Sequence, residues 1–208
     1  MYFDIALSLV AIYGLLLIHE LGHLAAARAV GVRACRLTLG VGPTLLGFHG
    51  PGRLYCAIAL LPIGSACVLG NTDPARQHRP TRSLAATSIG ERAVIYAAGP
   101  VFNLGLAAML LSAASWSTGD FSLSWAMHAD AAAIILIAGT STLIGLFNLL
   151  PIPPLDGGRL ALLILEAYRG DPLGDSSTAR LQRIGSGLIA AASAVLIGSF
   201  ALHYWHLI

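Results

Sequence analysis

Lysine is missing altogether: all twelve basic residues are arginine. Charge of either sign is scarce, 11% of residues against about 25% in a typical soluble domain. With a formal net charge of +2 the arginines make no basic face. This argues against a nucleic-acid binder, a soluble enzyme and a disordered regulator. Cysteine is sparse too. Cys35, Cys56 and Cys67 form neither a disulfide framework nor a CxxC zinc pattern, and read as small apolar fillers. The first ten residues lack the positive n-region and cleavage signal of a secretory leader, so the first apolar run reads as retained. No repeat relates the two halves, so the inverted-repeat design of transporters has no support.

What the chain has is apolar sequence. Of its 208 residues 56% are hydrophobic, and the mean hydropathy is +0.76. Four stretches are long enough to cross roughly 30 Å of hydrocarbon: residues 5–30, 93–114, 131–150 and 184–202. A fifth, 54–69, is shorter and interrupted by Pro62 and Gly64; it reads as re-entrant or interfacial. The fold class expected is an all-α polytopic membrane protein, one domain over 1–208. Eight arginines border or lie between the first two spans, from Arg28 to Arg92, and four follow the third, from Arg159 to Arg183. Residues 115–130 hold no arginine but carry Trp116 and Trp125. The positive-inside rule then puts both termini outside and both arginine-bearing segments in the cytosol. Arginine-only basic usage with abundant alanine and glycine suggests a bacterial plasma membrane.

Inside the first span stands His19-Glu20-Leu21-Gly22-His23, an HExxH pattern. On a helix, positions i and i+4 share a face, so both imidazoles reach one Zn²⁺. Glu20, one position round, is placed to take a proton from an attacking water and not to bind the metal. Ionisable groups in an apolar span need a compensating partner, since an acid at the bilayer centre costs about 2.5–3.5 kcal/mol on insertion scales. A metal is the obvious partner; a polar cluster cementing helices is the bland alternative.

A catalytic zinc takes three protein ligands and keeps a position open. Position 29, where an extended motif would put a third histidine, is Ala29. His128, His203 and His206 fall at the outer face, and Asp73 and His78 in a polar cytosolic stretch. Asp156 fits best. It follows the third span in Asn148-Leu-Leu-Pro151-Ile-Pro153-Pro154-Leu-Asp156-Gly157-Gly158, where the prolines must break the helix. Broken backbone at membrane depth is tolerated only when buried in protein or lining a cavity. His19 lies roughly 21 Å down the first span, and a turn back after the third brings Asp156 to that level.

These residues resemble the site-2 protease family of intramembrane zinc metalloproteases. The resemblance covers most of the chain in ordered blocks. HELGH comes first, then Leu39-Gly40-Val41-Gly42-Pro43, similar to the family's re-entrant β-hairpin, and Ala59-Leu60-Leu61-Pro62-Ile63-Gly64. Glu91-Arg92 through Gly99-Pro100-Val101-Phe102-Asn103 follows, and the NxxPxPPLDGG block closes the series. Ser65 departs from the usual second glycine, and too few residues separate Asn103 from the third-span motif for a PDZ domain. The resemblance implies His19, His23 and Asp156 as zinc ligands and Glu20 as general base. It implies Asn148 and Asn103 near substrate, with an interhelical hydrogen bond the plainer reading of Asn103. Gly40 and Gly42 belong to the implied substrate-binding hairpin.

The function expected is an intramembrane endopeptidase cutting an unwound transmembrane helix of another protein within the lipid bilayer. The alternative is a zinc-binding membrane chaperone that holds helices without cutting. Residues 35–48 alternate loosely and are expected to turn at Gly42-Pro43, with residues 36–41 adding a strand to substrate.

Overall fold

A computed structural model describes residues 2–50, 54–69, 82–118, 132–171 and 174–205. Their order is α1 (Tyr2–Ala29), β1 (Ala34–His49), β2 (Tyr55–Leu69), α2 (Ile89–Thr118), α3 (Ala132–Asn148), α4 (Asp156–Arg169) and α5 (Asp175–Trp205), with a 3-10 turn at Leu84–Ala86. They form two compact units, Met1–Leu149 and Leu150–Ile208. The protein is mostly helical, as the apolar spans implied, with a small sheet, as the resemblance implied. Two helices, over Ala6–Ala29 and Ile89–Trp116, are long and apolar enough to cross a membrane. α3 is apolar but has 17 residues, about 26 Å of helix, short of roughly 30 Å of hydrocarbon. The stretch 184–202 lies inside α5, several of whose side chains are outside the described residues.

α1 ends in a Schellman motif. Gly31 takes φ +79°, its N–H bonds to Arg28 O (3.1 Å), and the Val32 N–H reaches back to Ala27 O (2.8 Å). Val32 then packs with Ala27 and Ile95, all three fully buried. α2 starts on a capping box. The Ser88 N–H donates to Glu91 Oε2 (2.7 Å) and the Glu91 N–H to Ser88 Oγ (3.2 Å). α1 packs on α2 and α2 on α3. Small residues allow the close approach, as expected of helices in lipid: a Cβ on Gly22 would press on the Ala98 carbonyl, and one on Gly145 on the Pro100 carbonyl.

The sheet keeps the expected turn but changes its pairing, because each arm lies against residues 55–59 and not against the other arm. β1 spans Ala34–His49 and reverses between Leu39 and Thr44, as expected at Gly42-Pro43: residues 36–39 run parallel to 55–58, whereas 44–49 run antiparallel to 55–59. Gly40 (φ +87°) and Gly42 (φ +102°) stand in this turn, where positive φ favours glycine. A Cβ on Gly40 would meet the Leu61 and Ala59 carbonyls, so the turn also needs glycine for space. The partner of β1 is β2. The far half of β1 pairs with the start of β2, from His49↔Tyr55 to Thr44↔Ala59. Residues 36–39 lie between two neighbours: Leu37 faces both Cys56 and Cys67, and Thr38 both Ala57 and Ala66. The expectation that 36–41 adds a strand to substrate therefore fails for 36–39, whose two edges are already used. The outer segments are 44–49 and 65–69.

Val41, Leu45, Leu46 and Phe48 on the outer arm are all more than half exposed. Nearer α1 the sheet is packed. Leu24, Leu37 and Leu54 form a core flanked by Leu17, Ala34, Cys56 and Cys67. No disulfide joins the three cysteines, and Cys56 and Cys67 pack against this core as small apolar side chains.

In the second unit, Pro151, Pro153 and Pro154 fall in the stretch between α3 and α4, and α4 begins at Asp156. The chain folds tightly there. The Leu155 N–H donates to Ile152 O (2.9 Å) and the Arg159 N–H to Leu155 O (3.1 Å). A Cβ on Gly158 would strike the Ile152 and Pro153 backbone, the local reason for the second glycine of the Asp-Gly-Gly run. α4 was not anticipated as a separate helix.

Candidate metal centre

His19 and His23 stand one turn apart on α1, both buried on the face toward α2. The Ile95 carbonyl lies 2.7 Å from His23 Nδ1. A carbonyl only accepts, so His23 Nδ1 carries the proton and Nε2 keeps its lone pair. That Nε2 lies 3.2 Å from Nε2 of His19, with the rings nearly perpendicular at 79°. Two nitrogens bound to one tetrahedral ion at about 2.0–2.1 Å stand about 3.3 Å apart, so the pair fits a zinc-sized cation. The backbone carbonyl behind His23 is the second partner that metal-ligating histidines generally have.

Gly99 completes the cradle. A Cβ there would run into His23 Nε2 and reach His19 Cε1 at 2.8 Å. Sequence reasoning quoted Gly99 within its block but gave it no role; the empty space beside two imidazoles supplies one. Ile95 was missed altogether, since a backbone carbonyl leaves no mark in the residue type.

Glu20 is 2% exposed. At about 100° per residue it sits about 60° round α1 from His23 and within about 60° of Tyr13, Leu17 and Leu24. Those three touch the sheet: Tyr13 OH donates to Ala59 O, and the two leucines pack in the Leu37–Leu54 core. Glu20 thus occupies the helix face between the imidazoles and the sheet.

Asn103 on α2 is 0% exposed. Its backbone carbonyl accepts from Ser141 Oγ (2.9 Å), but Oδ1 and Nδ2 have no hydrogen-bond partner among the described residues. The interhelical bond near Asn103 is therefore made by its backbone, not its amide. Asn148, at the end of α3, is half-buried and donates from Nδ2 to Ile144 O (2.9 Å). Gly40 and Gly42 stand in the turn of β1. Asp156 belongs to the second unit, where it opens α4, is buried, and has Arg159 Nη1 3.8 Å from Oδ1. Asp73, His78, His128 and His206 lie outside the described residues, as does the side chain of His203.

The model of peptidase family M50 matches residues 7–129 and 120–192, most of the chain. A protein of Clostridium acetobutylicum provisionally named a zinc metalloprotease is 38% identical over 119 residues, 57% of this chain and 34% of its own length. A similarly named protein of a Nostoc species is 39% identical over 101 residues, 48% of this chain and 28% of its own. The regulator of sigma-E protease RseP of Escherichia coli is 34% identical over 102 residues, 48% of this chain and 23% of that protein. The chain spans about a third or less of the length of these relatives. With the family match extending over nearly the whole described chain, the sequence belongs to peptidase family M50, the site-2 protease family.

Proposed function

We propose that this chain is an intramembrane zinc endopeptidase hydrolysing peptide bonds within transmembrane segments of other membrane proteins. The observation that carries it is the convergence of His19 and His23 Nε2 atoms, 3.2 Å apart, in an apolar helix with Glu20 buried beside them. The names of its relatives and of its family support the same chemistry. His19, His23 and Asp156 hold the zinc, and residues 1–208 act as one protease domain. When bound, the metal acidifies water and polarises the scissile carbonyl. Glu20 takes the proton of the attacking water and delivers it to the leaving nitrogen. Asn148 turns an amide N–H toward the developing oxyanion, and Asn103 supplies a buried amide for the substrate backbone. The chain crosses the membrane four times, both termini outside and the centre toward the cytosol, in a bacterial plasma membrane.

Substrate arrives as a strand. An unwound helix has lost its internal hydrogen bonds, which is costly in lipid, and an unpaired sheet edge supplies new ones. Of the two outer segments, 65–69 is the better candidate. Cys67 packs against the core of Leu24, Leu37 and Leu54, and Leu24 lies on the side of α1 that carries Glu20. The 44–49 edge belongs to the exposed apolar arm, suited to lipid. Gly40 and Gly42 stand in the turn of β1 that lets residues 36–39 and 44–49 both pair with 55–59.

The test is cleavage of a model transmembrane substrate by purified protein in detergent or liposomes, with and without chelator. Chelator-sensitive cutting that zinc restores supports the proposal. Zinc binding with no cutting of any transmembrane substrate would favour the chaperone reading.

A further inference from the structure

We propose that Arg82 and Glu91 form a clamp that sets the register of α1 against α2 and thereby keeps the two imidazoles converged. Both are positioning residues, and the consequence for metal rests on the zinc reading above. The sequence suggests for Arg82, at the end of the basic run 76–82, a topology-setting charge, with contact to anionic lipid as the alternative.

The geometry is more specific than a surface ion pair. Arg82 donates from Nη1 to Glu91 Oε1 (2.6 Å) and from Nη2 to Glu91 Oε2 (2.8 Å), a two-point fork. Nη1 also donates to Val30 O (3.2 Å). The Schellman motif at the end of α1 uses the carbonyls of Ala27 and Arg28, and Arg82 takes that of Val30, where a cation is favoured by the helix dipole. Glu91 is equally tied, because its Oε2 accepts the Ser88 N–H in the α2 capping box. A backbone bridge, Val32↔Arg82, fixes the arginine's own position. One guanidinium thus joins the Val30 carbonyl, just past the end of α1, to the first turn of α2.

The clamp lies close to the centre. Glu91 is one turn before Ile95, whose carbonyl holds His23. Val30 is seven residues beyond His23, about 10 Å along the helix. Between them sit Ala27, Val32 and Ile95, each 0% exposed. A close-packed core of this kind transmits a shift and does not absorb it. If the end of α1 slides, the His23–Ile95 bond and the space at Gly99 move with it. Exposed pairs are generally worth little to global stability, so the clamp's effect belongs in local order more than in the melting temperature.

The experiment uses the full chain in detergent with Arg82→Gln, Arg82→Lys and Glu91→Gln. Glu91→Gln keeps an amide oxygen for Ser88 and so isolates the ion pair. Three quantities are read: hydrogen exchange of residues 26–32 in metal-free protein, the rate of zinc loss to a chelator, and the visible spectrum of the cobalt(II)-loaded protein. Arg82→Gln and Glu91→Gln should each speed exchange in residues 26–32 by roughly five- to thirtyfold, with little change in α3, hasten zinc loss, and alter the cobalt spectrum. Arg82→Lys, which keeps the charge but loses the fork, should fall between them and wild type. Wild-type exchange in both glutamine variants overturns the clamp, and so does an equal acceleration in every helix. If wild-type protein binds no metal, the zinc reading fails while exchange in the metal-free chain still decides on the clamp.

Discussion

No side chain fits on Gly99, because a Cβ would occupy the space in front of His23 Nε2. The atom it would strike is the one whose lone pair faces His19. Gly99→Ala should therefore lower metal affinity about 10- to 100-fold, the usual range for a disturbed outer shell, with the helices still formed. Competition with a metal indicator, alongside circular dichroism, measures both. Unchanged affinity would separate the imidazole pair from metal binding.

Glu20→Gln should keep zinc and lose cleavage by at least about 100-fold, since general acid–base catalysis contributes about 10²–10⁴. The amide cannot accept the proton of the attacking water, while His19 and His23 are untouched. Metal analysis and a cleavage assay on one preparation check this. Turnover near wild type removes Glu20 from the role of base.

Asp156→Ala should reduce zinc occupancy and activity together, because it takes the one charged ligand from a three-ligand site. His203→Ala and His206→Ala should leave both unchanged. Normal zinc in Asp156→Ala with loss in either histidine variant would reassign the third ligand.

Proline separates the sheet's interior from its edge. Thr38 faces both Ala57 and Ala66, so Thr38→Pro should disrupt the sheet itself and lower stability. Ala66→Pro, on an outer segment, should leave the melting temperature within a few degrees while slowing cleavage, with zinc retained. Thermal denaturation, metal content and cleavage rate are compared for the two variants. Full activity in Ala66→Pro would exclude the 65–69 edge from substrate binding.

Asn103 carries an amide that is buried without a partner among the described residues, at a cost of about 1–3 kcal/mol. Asn103→Leu should therefore stabilise the metal-free protein, or leave it unchanged, while lowering cleavage. A drop in metal-free stability would mean that the amide serves the fold and not the substrate.

Chemistry carried by residue type and spacing was legible early. His19 and His23 at i and i+4 share a helix face whatever surrounds them, and 56% hydrophobic residues with 11% charge leave few places for such a chain outside a membrane. The Ser88-to-Glu91 spacing is also a local signal, since both partners of a capping box lie within one turn. Pairing of strands is different. Gly42-Pro43 marks the reversal of β1, but the sequence does not say that each arm pairs with residues 55–59 and not with the other, because the partner strand is chosen by long-range hydrogen bonding. The Ile95 carbonyl behind His23, the space at Gly99 and the Arg82 fork arise only when α1 packs on α2. Local periodicity determined which side chains could meet a metal; the tertiary packing decided which backbone atoms and which absent side chain hold them there, because neither backbone carbonyls nor empty space is encoded in the type of any single residue.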